Sequence, residues 1–399
     1  MHVGIYTGNY YPKVGGGYTF VKDIIEHLIM IAPNYENHFT IFTTSRFKKE
    51  ILEKKIPNNI SIIEVGKQTG IINRLRSILQ KNEFYEIAKF FRTKLEKVAI
   101  NNKVDIMWFA GHENWAIDIP YISTVWDLGH LTNSWFPELS ANFVWEQREG
   151  SLNRNLRRST KVVTGTQVGK KELISFYGIP EDRIHILTHP TPSFVLKSTI
   201  PGNNDVLSNY EINNRYLFYP AQFWAHKNHI NLLKALRLLN ETRNSKYDLV
   251  LVGSDQGNKS FVENRAKQLG IKNNVHFLGF VPTDELISFY KNAIALIYPS
   301  LLGPENLPPL EAFALKCPVL MAEYPGAREQ LGDETALFFN PLSPRSIVNA
   351  ITKLESNTEK KLQLIIKGKE RASKWTAKEF IEELMIIINE FEPVRSNWA

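Results

Sequence analysis

Lys227 and Asn228 combine a cation with a neutral hydrogen-bonding side chain directly before an apolar, periodic segment from Ile230 to Leu239. That segment is predicted to be a helix, and a lysine at a helix start is unfavourable for the helix dipole. Its presence there indicates a nearby anion, with phosphate the natural candidate. The alternative is an ordinary solvated surface lysine.

A second chemically suggestive stretch runs from Tyr298 to Val319. The apolar run that ends at Tyr298 is predicted to be a buried strand, and the loop after it leads to strong helix formers from Leu310 to Leu315. A loop that joins a helix N-terminus favours an anion, because the first-turn N–H groups are unpaired. Glu311 suits sugar or ribose hydroxyls instead, since a carboxylate accepts hydrogen bonds. The alternative is a proline-rich loop before a core helix.

Length and composition describe an ordinary globular chain. Its 399 residues, 43% hydrophobic and 22% charged, predict two domains of about 200 residues each. Its apolar runs fall short of the ~20 residues that span a bilayer, and the first residues do not resemble a signal peptide, so we expect a cytoplasmic protein. The single cysteine, Cys317, excludes an internal disulfide framework and a cysteine-based metal site.

The net charge of +7 is concentrated in one region. Between Arg46 and Lys103 there are 14 Lys/Arg and 6 Asp/Glu, which accounts for the excess of the whole chain. Part of this surplus lies on a predicted amphipathic helix from about residue 71 to 100. The basic residues either form a solvated face of this helix or attract anionic lipid or a phosphorylated acceptor. Nucleic acid is not expected as a partner, because no recognition helix, zinc motif or aromatic RNA-binding signature accompanies the charge.

The order of elements predicts an α/β fold. A strand from His2 to Thr7, a glycine loop that contains Gly16 and Gly17, and a helix from about Tyr18 to Met30 are typical of the start of a doubly wound domain. Neither a dinucleotide fingerprint nor a phosphate-binding P-loop sequence is present.

Asp127 follows a predicted strand from Tyr121 to Val125. Because ligands bind at the carboxyl ends of parallel strands, Asp127 is a candidate site residue; the alternative is a helix or turn cap. His130 is either a pH-sensitive partner of Asp127 or a structural histidine.

A polar, loop-forming segment separates two blocks that can each form an α/β core. The second block opens with a strand from Tyr216 to Tyr219 and continues with a strand from Asp248 to Val252. We therefore predict domains at 1–195 and 215–375, a linker at 196–214, and a terminal helix at 376–399.

The sequence Leu307-Pro308-Pro309-Leu310-Glu311-Ala312 resembles the signature of the retaining nucleotide-sugar glycosyltransferases of family four. Two glutamates flank this loop in the family, the first near the donor sugar and the second on the ribose. Glu311 corresponds to the second. Gly303 occupies the place of the first, and Glu305 is the nearest carboxylate that could substitute for it.

The resemblance implies a GT-B fold, with two Rossmann-like domains that face a cleft and a terminal helix that crosses back to the first domain. It also implies an acceptor on the first domain, near Asp127 and His130, and Asp127, Lys227 and Glu305 as catalytic residues. Gln222 stands where the family has a phosphate-binding arginine, and the backbone N–H groups of Asn306 and Leu307 would receive leaving-group charge. The implied donor-binding residues are Gly16, Gly17, Gln222, Lys227, Gly253, Phe280, Asn306, Leu307 and Glu311.

The expected reaction is retaining transfer of a hexosyl or deoxyhexosyl unit from a nucleotide diphosphate sugar to a hydroxyl of a glycan or lipid-linked acceptor. The resemblance implies a role in the synthesis of bacterial surface polysaccharides. A lipid-linked acceptor would then place the protein at the inner face of the membrane. Because no Asp-x-Asp motif is present, we expect no essential metal, and no cofactor besides the donor. A non-catalytic binding protein, a phosphorylase and an epimerase of the same fold are the alternatives.

Overall fold

The computed structural model describes residues 1–10, 15–66, 75, 78–79, 84, 87, 91–200, 202, 204–243 and 246–398. Half of the predicted basic helix at 71–100 lies outside these residues; at its C-terminal end the chain is helical from Lys94 to Asn101. Within the described part of the chain, no helix is both long and apolar enough to cross a membrane.

Two fully parallel sheets organise the chain. The first has the order β3-β2-β1-β4-β5-β6-β7 and the second the order β10-β9-β8-β11-β12-β13. The strands of the first sheet are β1 His2–Tyr6, β2 His38–Thr43, β3 Ile60–Glu64, β4 Ile106–Phe109, β5 Tyr121–Val125, β6 Lys161–Thr164 and β7 Ile184–Ile186. Those of the second are β8 Arg215–Pro220, β9 Tyr247–Val252, β10 Val275–Gly279, β11 Ala295–Tyr298, β12 Val319–Ala322 and β13 Ala336–Phe339.

Helices connect the strands of the first sheet. They are α1 Gly16–Ile31, α2 Ser45–Leu52, α3 Lys94–Asn101, α4 Gly129–Thr132, α5 Pro137–Ser140, α6 Val144–Arg158 and α7 Gln167–Tyr177. Two short helices, α8 Ser193–Leu196 and α9 Asn204–Asn209, follow the last strand of this sheet. Short 3-10 turns lie at Ala32–Asn34, Ala141–Phe143 and Glu181–Arg183. The predicted linker thus contains a short helix, α9.

The second sheet is connected in the same way. Its helices are α10 His229–Thr242, α11 Lys259–Gln268, α12 Thr283–Asn292, α13 Leu307–Ala314, α14 Ala327–Leu331, α15 Pro344–Ser356, α16 Thr358–Lys374, α17 Ala377–Asn389 and α18 Glu392–Arg395. Further 3-10 turns lie at Ala225–Lys227 and Lys272–Asn274.

Burial explains why these strands form parallel sheets. Strands such as β4, β5, β9 and β11 consist of buried residues on both faces, because helices cover both sides of each sheet. The second domain has one continuous apolar core. Two parallel sheets, each covered by helices on both faces, form the α/β architecture predicted from the sequence.

Helix α17 belongs spatially to the first domain. Its residues Phe380, Ile381 and Leu384 share one buried cluster with Ile24 and Leu28 of α1. The chain therefore returns to the first domain after completing the second. The domain bounds given above stay a prediction.

The order of strands reverses at one point in each sheet, between β1 and β4 and between β8 and β11. In open α/β sheets, the loops at the carboxyl ends of the strands beside such a point form the ligand crevice. The glycine loop follows β1, Lys227 follows β8, and the loop before α13 follows β11. Side chains of these loops contact one another across the two domains, as described below.

Candidate active site

Lys227 lies in the 3-10 turn after β8, and its ammonium points at the end of β11. The Nζ atom donates hydrogen bonds to the Tyr298 hydroxyl, at 3.0 Å, and to Asn306 Oδ1, at 3.3 Å. Both acceptors are neutral. Among the described residues, no carboxylate oxygen lies within 4.0 Å of this ammonium, and Asp127 and Glu138 act on it only from a distance.

Burial lowers the pKa of Lys227 to about 8, because desolvation disfavours the charged form. Lys227 as a whole residue is half-buried. An ammonium held this way, with neutral partners and a depressed pKa, is electrostatically suited to an incoming anion.

Asn228 holds the turn that presents Lys227. Its backbone adopts a left-handed φ of 57°, and its side-chain amide donates to the carbonyls of Pro299 and Pro341, both at 2.9 Å. Asparagine tolerates this conformation better than most residues. Asn228 therefore fixes the turn that presents Lys227, and the ligand role of Lys227 stays a prediction.

The N-terminus of α13 has few free donors. Pro308 and Pro309 carry no N–H, and the Asn306 N–H donates to Gln330 Oε1 at 3.0 Å. The prediction that the Asn306 N–H receives leaving-group charge is therefore wrong, because that donor is already used. The Leu307 N–H has no hydrogen-bond partner among the described residues and stays a candidate.

The Asn306 side chain is also fully used. Its Oδ1 accepts from Lys227 and from the Tyr298 hydroxyl, at 2.7 Å, and its Nδ2 donates to the Gly303 carbonyl and the Tyr324 hydroxyl, both at 2.7 Å. Asn306 is thus the centre of a hydrogen-bond network that fixes Lys227.

Gly303 has a φ of 114°, and a Cβ there would lie 3.1 Å from Asn306 Oδ1. This left-handed backbone favours glycine and explains why the carboxylate seen in the family is not accommodated at this position.

Glu311 is buried in α13, with 7% of its surface exposed, and accepts a hydrogen bond from the Tyr290 hydroxyl at 2.6 Å. Burial raises the pKa of Glu311 to about 7, although the Tyr290 hydroxyl opposes the rise. The carboxyl group is held in one orientation by Tyr290.

The glycine loop of the first domain touches the second domain. Helix α1 begins at Gly16, two residues earlier than predicted, so Gly16 and Gly17 form its first turn. A Cβ at Gly16 would lie 3.6 Å from the Leu307 side chain, and one at Gly17 would lie 3.1 Å from Trp126. The missing side chains therefore let α1, Trp126 and the start of α13 approach one another.

Gln222 and Gly253 lie together at the carboxyl ends of β8 and β9. Gln222 Nε2 donates to Ser254 Oγ at 2.8 Å, and its Oε1 accepts from the Trp224 indole at 3.1 Å. A Cβ at Gly253 would lie 2.3 Å from the Ala221 carbonyl, so only glycine fits there. Phe280 follows β10 and is 64% exposed. The ligand roles of these three residues stay predictions.

Asp127 lies after β5, as predicted, but its carboxylate is engaged. Oδ1 accepts from the Gly129 N–H at 2.8 Å and from Arg148 at 2.7 Å. Burial opposes ionisation, but the Arg148 guanidinium and the Gly129 N–H outweigh it and hold the pKa of Asp127 below its usual value. Asp127 is therefore a weak proton acceptor in this arrangement and caps the turn, the alternative given above.

His130 is completely buried, and its Nε2 lies 3.3 Å from Glu149 and 3.4 Å from the Tyr177 hydroxyl. Burial lowers the pKa of His130. These partners belong to α6 and α7 of the first domain, so the structure favours the structural alternative over contact with an acceptor.

Glu305 does not occupy the place predicted for it. Its side chain is 2% exposed and extends into the first domain, where Oε1 accepts from the His189 N–H at 2.5 Å. Burial raises the pKa of Glu305 to about 8, which favours the neutral form of the carboxyl at pH 7. The prediction that Glu305 contacts the donor sugar is not supported, because the carboxyl is enclosed between the domains beside Gly165, Trp126 and His189.

A second contact between the domains lies next to Lys227. Glu138 of α5 accepts from the His226 backbone N–H at 2.9 Å and approaches its ring Nδ1 at 2.5 Å. The sequence offered no signal for this pair, nor for Arg148, because their partners lie far apart along the chain. Tyr298 could have been selected as the last residue of its strand.

Within the described residues, no group of three His, Cys, Asp or Glu side chains could hold a metal ion.

The comparisons with known proteins agree with the fold. Solved structures identify the fold as the GT-B type of glycosyltransferases: Anabaena HepE in complex with UDP and glucose has a TM-score of 0.71 at 14% identity, with 98% of this chain and 100% of that chain covered. Residues 208–371, which contain Lys227 and α13, match the family model described as "Glycosyl transferases group 1".

Two curated relatives add detail. The O-antigen chain mannosyltransferase RfbU of Salmonella typhimurium is 26% identical over 204 residues, 51% of this chain and 53% of that protein. The D-inositol 3-phosphate glycosyltransferase of Corynebacterium glutamicum is 22% identical over 363 residues, 82% of this chain and 85% of that protein. The match to RfbU thus spans about half of that relative's length.

The contact between Glu305 and Gly165 predicts the effect of one methyl group. A Cβ at Gly165 would lie 1.3 Å from Glu305 Oε2, so Gly165→Ala must displace the carboxyl and should lower the free energy of unfolding by about 1–3 kcal/mol. Gly150→Ala is the matched control, because a Cβ there meets nothing within 4 Å. Urea unfolding of both variants measures the difference. Equal stability of the two variants would contradict the contact.

Proposed function

We propose that this chain is a metal-independent retaining glycosyltransferase that moves a hexosyl or deoxyhexosyl unit from a nucleotide diphosphate sugar to a hydroxyl of a glycan or lipid-linked acceptor. The observation that carries the proposal is the Lys227 ammonium, held by neutral partners at the point where the second sheet reverses its strand order. The family match of residues 208–371 and the similarity to an O-antigen mannosyltransferase support it.

In this proposal, Lys227 stabilises the charge that develops when the bond between the anomeric carbon and the diphosphate oxygen breaks. A preorganised cation in a desolvated site is effective, because it need not reorganise during the reaction. The Leu307 N–H is the backbone donor of α13 that can assist. The acceptor hydroxyl loses its proton as the new glycosidic bond forms.

The departing phosphate is our preferred proton acceptor. Asp127 is tied to Arg148 and has a depressed pKa, which makes it a poor base. We assign Asp127 and Arg148 to the acceptor side of the cleft, where they would orient the acceptor. No cofactor beyond the donor is invoked.

A non-catalytic nucleotide-sugar-binding protein is the second candidate. Gly303 in place of a carboxylate, and the enclosure of Glu305 between the domains, favour it. Incubation of the protein with each of the UDP-, GDP-, ADP- and dTDP-sugars, with and without a saccharide acceptor, separates the candidates. Acceptor-dependent release of nucleotide, with the anomeric configuration retained in the product, supports the transferase; binding without release supports the second candidate.

Lys227→Ala should weaken the affinity for nucleoside diphosphate roughly 10- to 150-fold at pH 7, because a hydrogen bond to a charged group contributes about 1.5–3 kcal/mol. Calorimetric titration with UDP, GDP, ADP and dTDP measures the effect. The wild-type affinity should fall as the pH rises through about 8, where the ammonium loses its proton, whereas Lys227→Arg should stay charged throughout.

Lys234→Ala is the control for that titration, because Lys234 lies further along α10 and its Nζ donates to Asn231. All titrations and assays are run in EDTA. Unchanged affinity in Lys227→Ala, or activity that returns only with Mg²⁺ or Mn²⁺, would contradict the proposal.

We propose that Glu311 binds the ribose hydroxyls of the donor. Glu311→Ala should then weaken nucleoside diphosphate about 5- to 10-fold and leave inorganic diphosphate unaffected, because inorganic diphosphate has no ribose. Competition of both ligands with a fluorescent nucleotide measures the two affinities. Tyr290→Phe is the companion variant, since it removes the Glu311 partner and keeps the carboxyl. Equal losses for both ligands would count against the ribose role.

We further propose that the protein acts at an anionic membrane surface, where a lipid-linked acceptor lies. The described residues of the basic region include the exposed apolar side chains of Leu75, Ile78, Phe84 and Ile87. Exposed apolar residues in a region of positive charge are typical of a segment that lies on a membrane.

Phosphatidylglycerol vesicles should therefore sediment the protein at low salt, and binding should decline as salt rises, because the attraction is screened. Replacing Ile78 and Ile87 by serine should reduce binding without altering nucleotide affinity. Phosphatidylcholine vesicles are the neutral comparison. Similar weak binding to both kinds of vesicle at low salt would rule out the anionic-surface role.

A further inference from the structure

Gln330 lies in α14, outside the loops that follow β8 and β11, and it is completely buried. Its side-chain amide pairs with the peptide of Asn306 at two points: Oε1 accepts from the Asn306 N–H at 3.0 Å, and Nε2 donates to the Asn306 carbonyl at 2.9 Å. These partners define which end of the amide is oxygen. The pairing holds the backbone of Asn306 on both sides of its Cα, because its N–H and its carbonyl belong to two successive peptide groups.

Helix α14 is itself anchored. Arg371 of α16 donates from Nε and Nη2 to the Gln330 carbonyl, at 3.1 and 2.8 Å. Gln330 therefore connects a fixed helix to the residue directly before α13.

Asn306 depends on this support because its own side chain does not cap α13. Asparagine commonly accepts a hydrogen bond from the first turn of the helix that follows it, but Asn306 forms no such bond. Its Oδ1 instead faces Lys227 and Tyr298. The backbone of Asn306 is thus fixed by Gln330, and the amide is left free to hold the ammonium.

We propose that Gln330 is a positioning residue for the anion site: by holding the Asn306 backbone, it sets the place of Asn306 Oδ1 and so the place of the Lys227 ammonium. The inference rests on the proposed function for its consequence in donor binding, and the clamp itself is measured without any ligand. Nothing in the sequence around Gln330 indicates this role, because its partner Asn306 lies in the loop before α13, away from α14 in the sequence.

A purely structural role for Gln330 would lower stability without altering Lys227. A matched control exists in the same domain: Asn240 makes the same two-point pairing with the backbone of Tyr247, at 3.0 and 2.8 Å, at the start of β9 and so at the opposite end of the strand from the candidate site. Gln330→Met and Asn240→Leu each remove one such clamp and keep most of the side-chain volume.

The experiment is competitive trace labelling of lysines with acetic anhydride across pH 6 to 10, followed by peptide mass spectrometry of the fragment that contains Lys227. In the wild type, the labelling midpoint of Lys227 should lie near 8. In Gln330→Met it should fall, because the ammonium loses the acceptor at Asn306. Asn240→Leu should keep the wild-type midpoint even where its thermal stability drops as much.

The coupling is then tested in a second background. Gln330→Met should produce no further change in Lys227 labelling when Asn306 is already alanine, since the clamp acts through Asn306. If Gln330→Met does not fold, Gln330→Glu takes its place, because it keeps the acceptor for the Asn306 N–H and loses the donor to the carbonyl.

Nucleoside diphosphate titration separates this inference from the proposed function. Gln330→Met should weaken binding at pH 7 by a smaller factor than Lys227→Ala does. An unchanged labelling midpoint and unchanged affinity in Gln330→Met, beside weakened binding in Lys227→Ala, would overturn the positioning role and leave the proposed function standing. No effect of Lys227→Ala on binding would remove the proposed function, while the labelling midpoint would still decide whether the clamp exists.

Discussion

The site depends on one electrostatic constraint: an ammonium has been moved out of bulk water without a carboxylate beside it. Removing a charge from water is costly unless hydrogen bonds or an opposite charge compensate. Lys227 donates two hydrogen bonds to groups that carry no charge, and these bonds do not fully offset the loss of water, because burial still lowers the pKa of the ammonium. The surrounding network of Asn306, Tyr298 and Gln330 can be understood as the support that keeps this cation in place until an anion arrives.

Several features of the fold follow from the sequence through simple physics. Short apolar runs that alternate with periodic helices predicted two parallel sheets, and the loops after Tyr6, Tyr219 and Tyr298 were placed correctly at their carboxyl ends. Lys227 is a candidate from the sequence because a cation at a helix start is unfavourable for the helix dipole unless an anion lies nearby. Glycines at 16 and 17 were read as a loop but form the first turn of α1, because glycine conformational freedom does not reveal where a helix begins.

The contacts between distant segments could not be predicted in this way. Glu305 is close in sequence to the anion loop, yet its side chain reaches into the other domain, since the missing side chain of Gly165 leaves room for the carboxyl. Likewise, the sequence predicts that the Asn306 N–H donates to the leaving group, whereas in the structure this N–H donates to Gln330. In both cases the decisive partner lies in another element, so that local pattern and spacing carry no information about it.

The return of α17 to the first domain has a consequence for how the protein forms during synthesis. Domains commonly fold as they leave the ribosome, in chain order. Here, the apolar face of α1 is completed by residues 377–391, which are made only after the entire second sheet. Part of the core of the first domain therefore stays uncovered while the second domain is translated. The first domain, although it is translated first, is thus the last to complete its core.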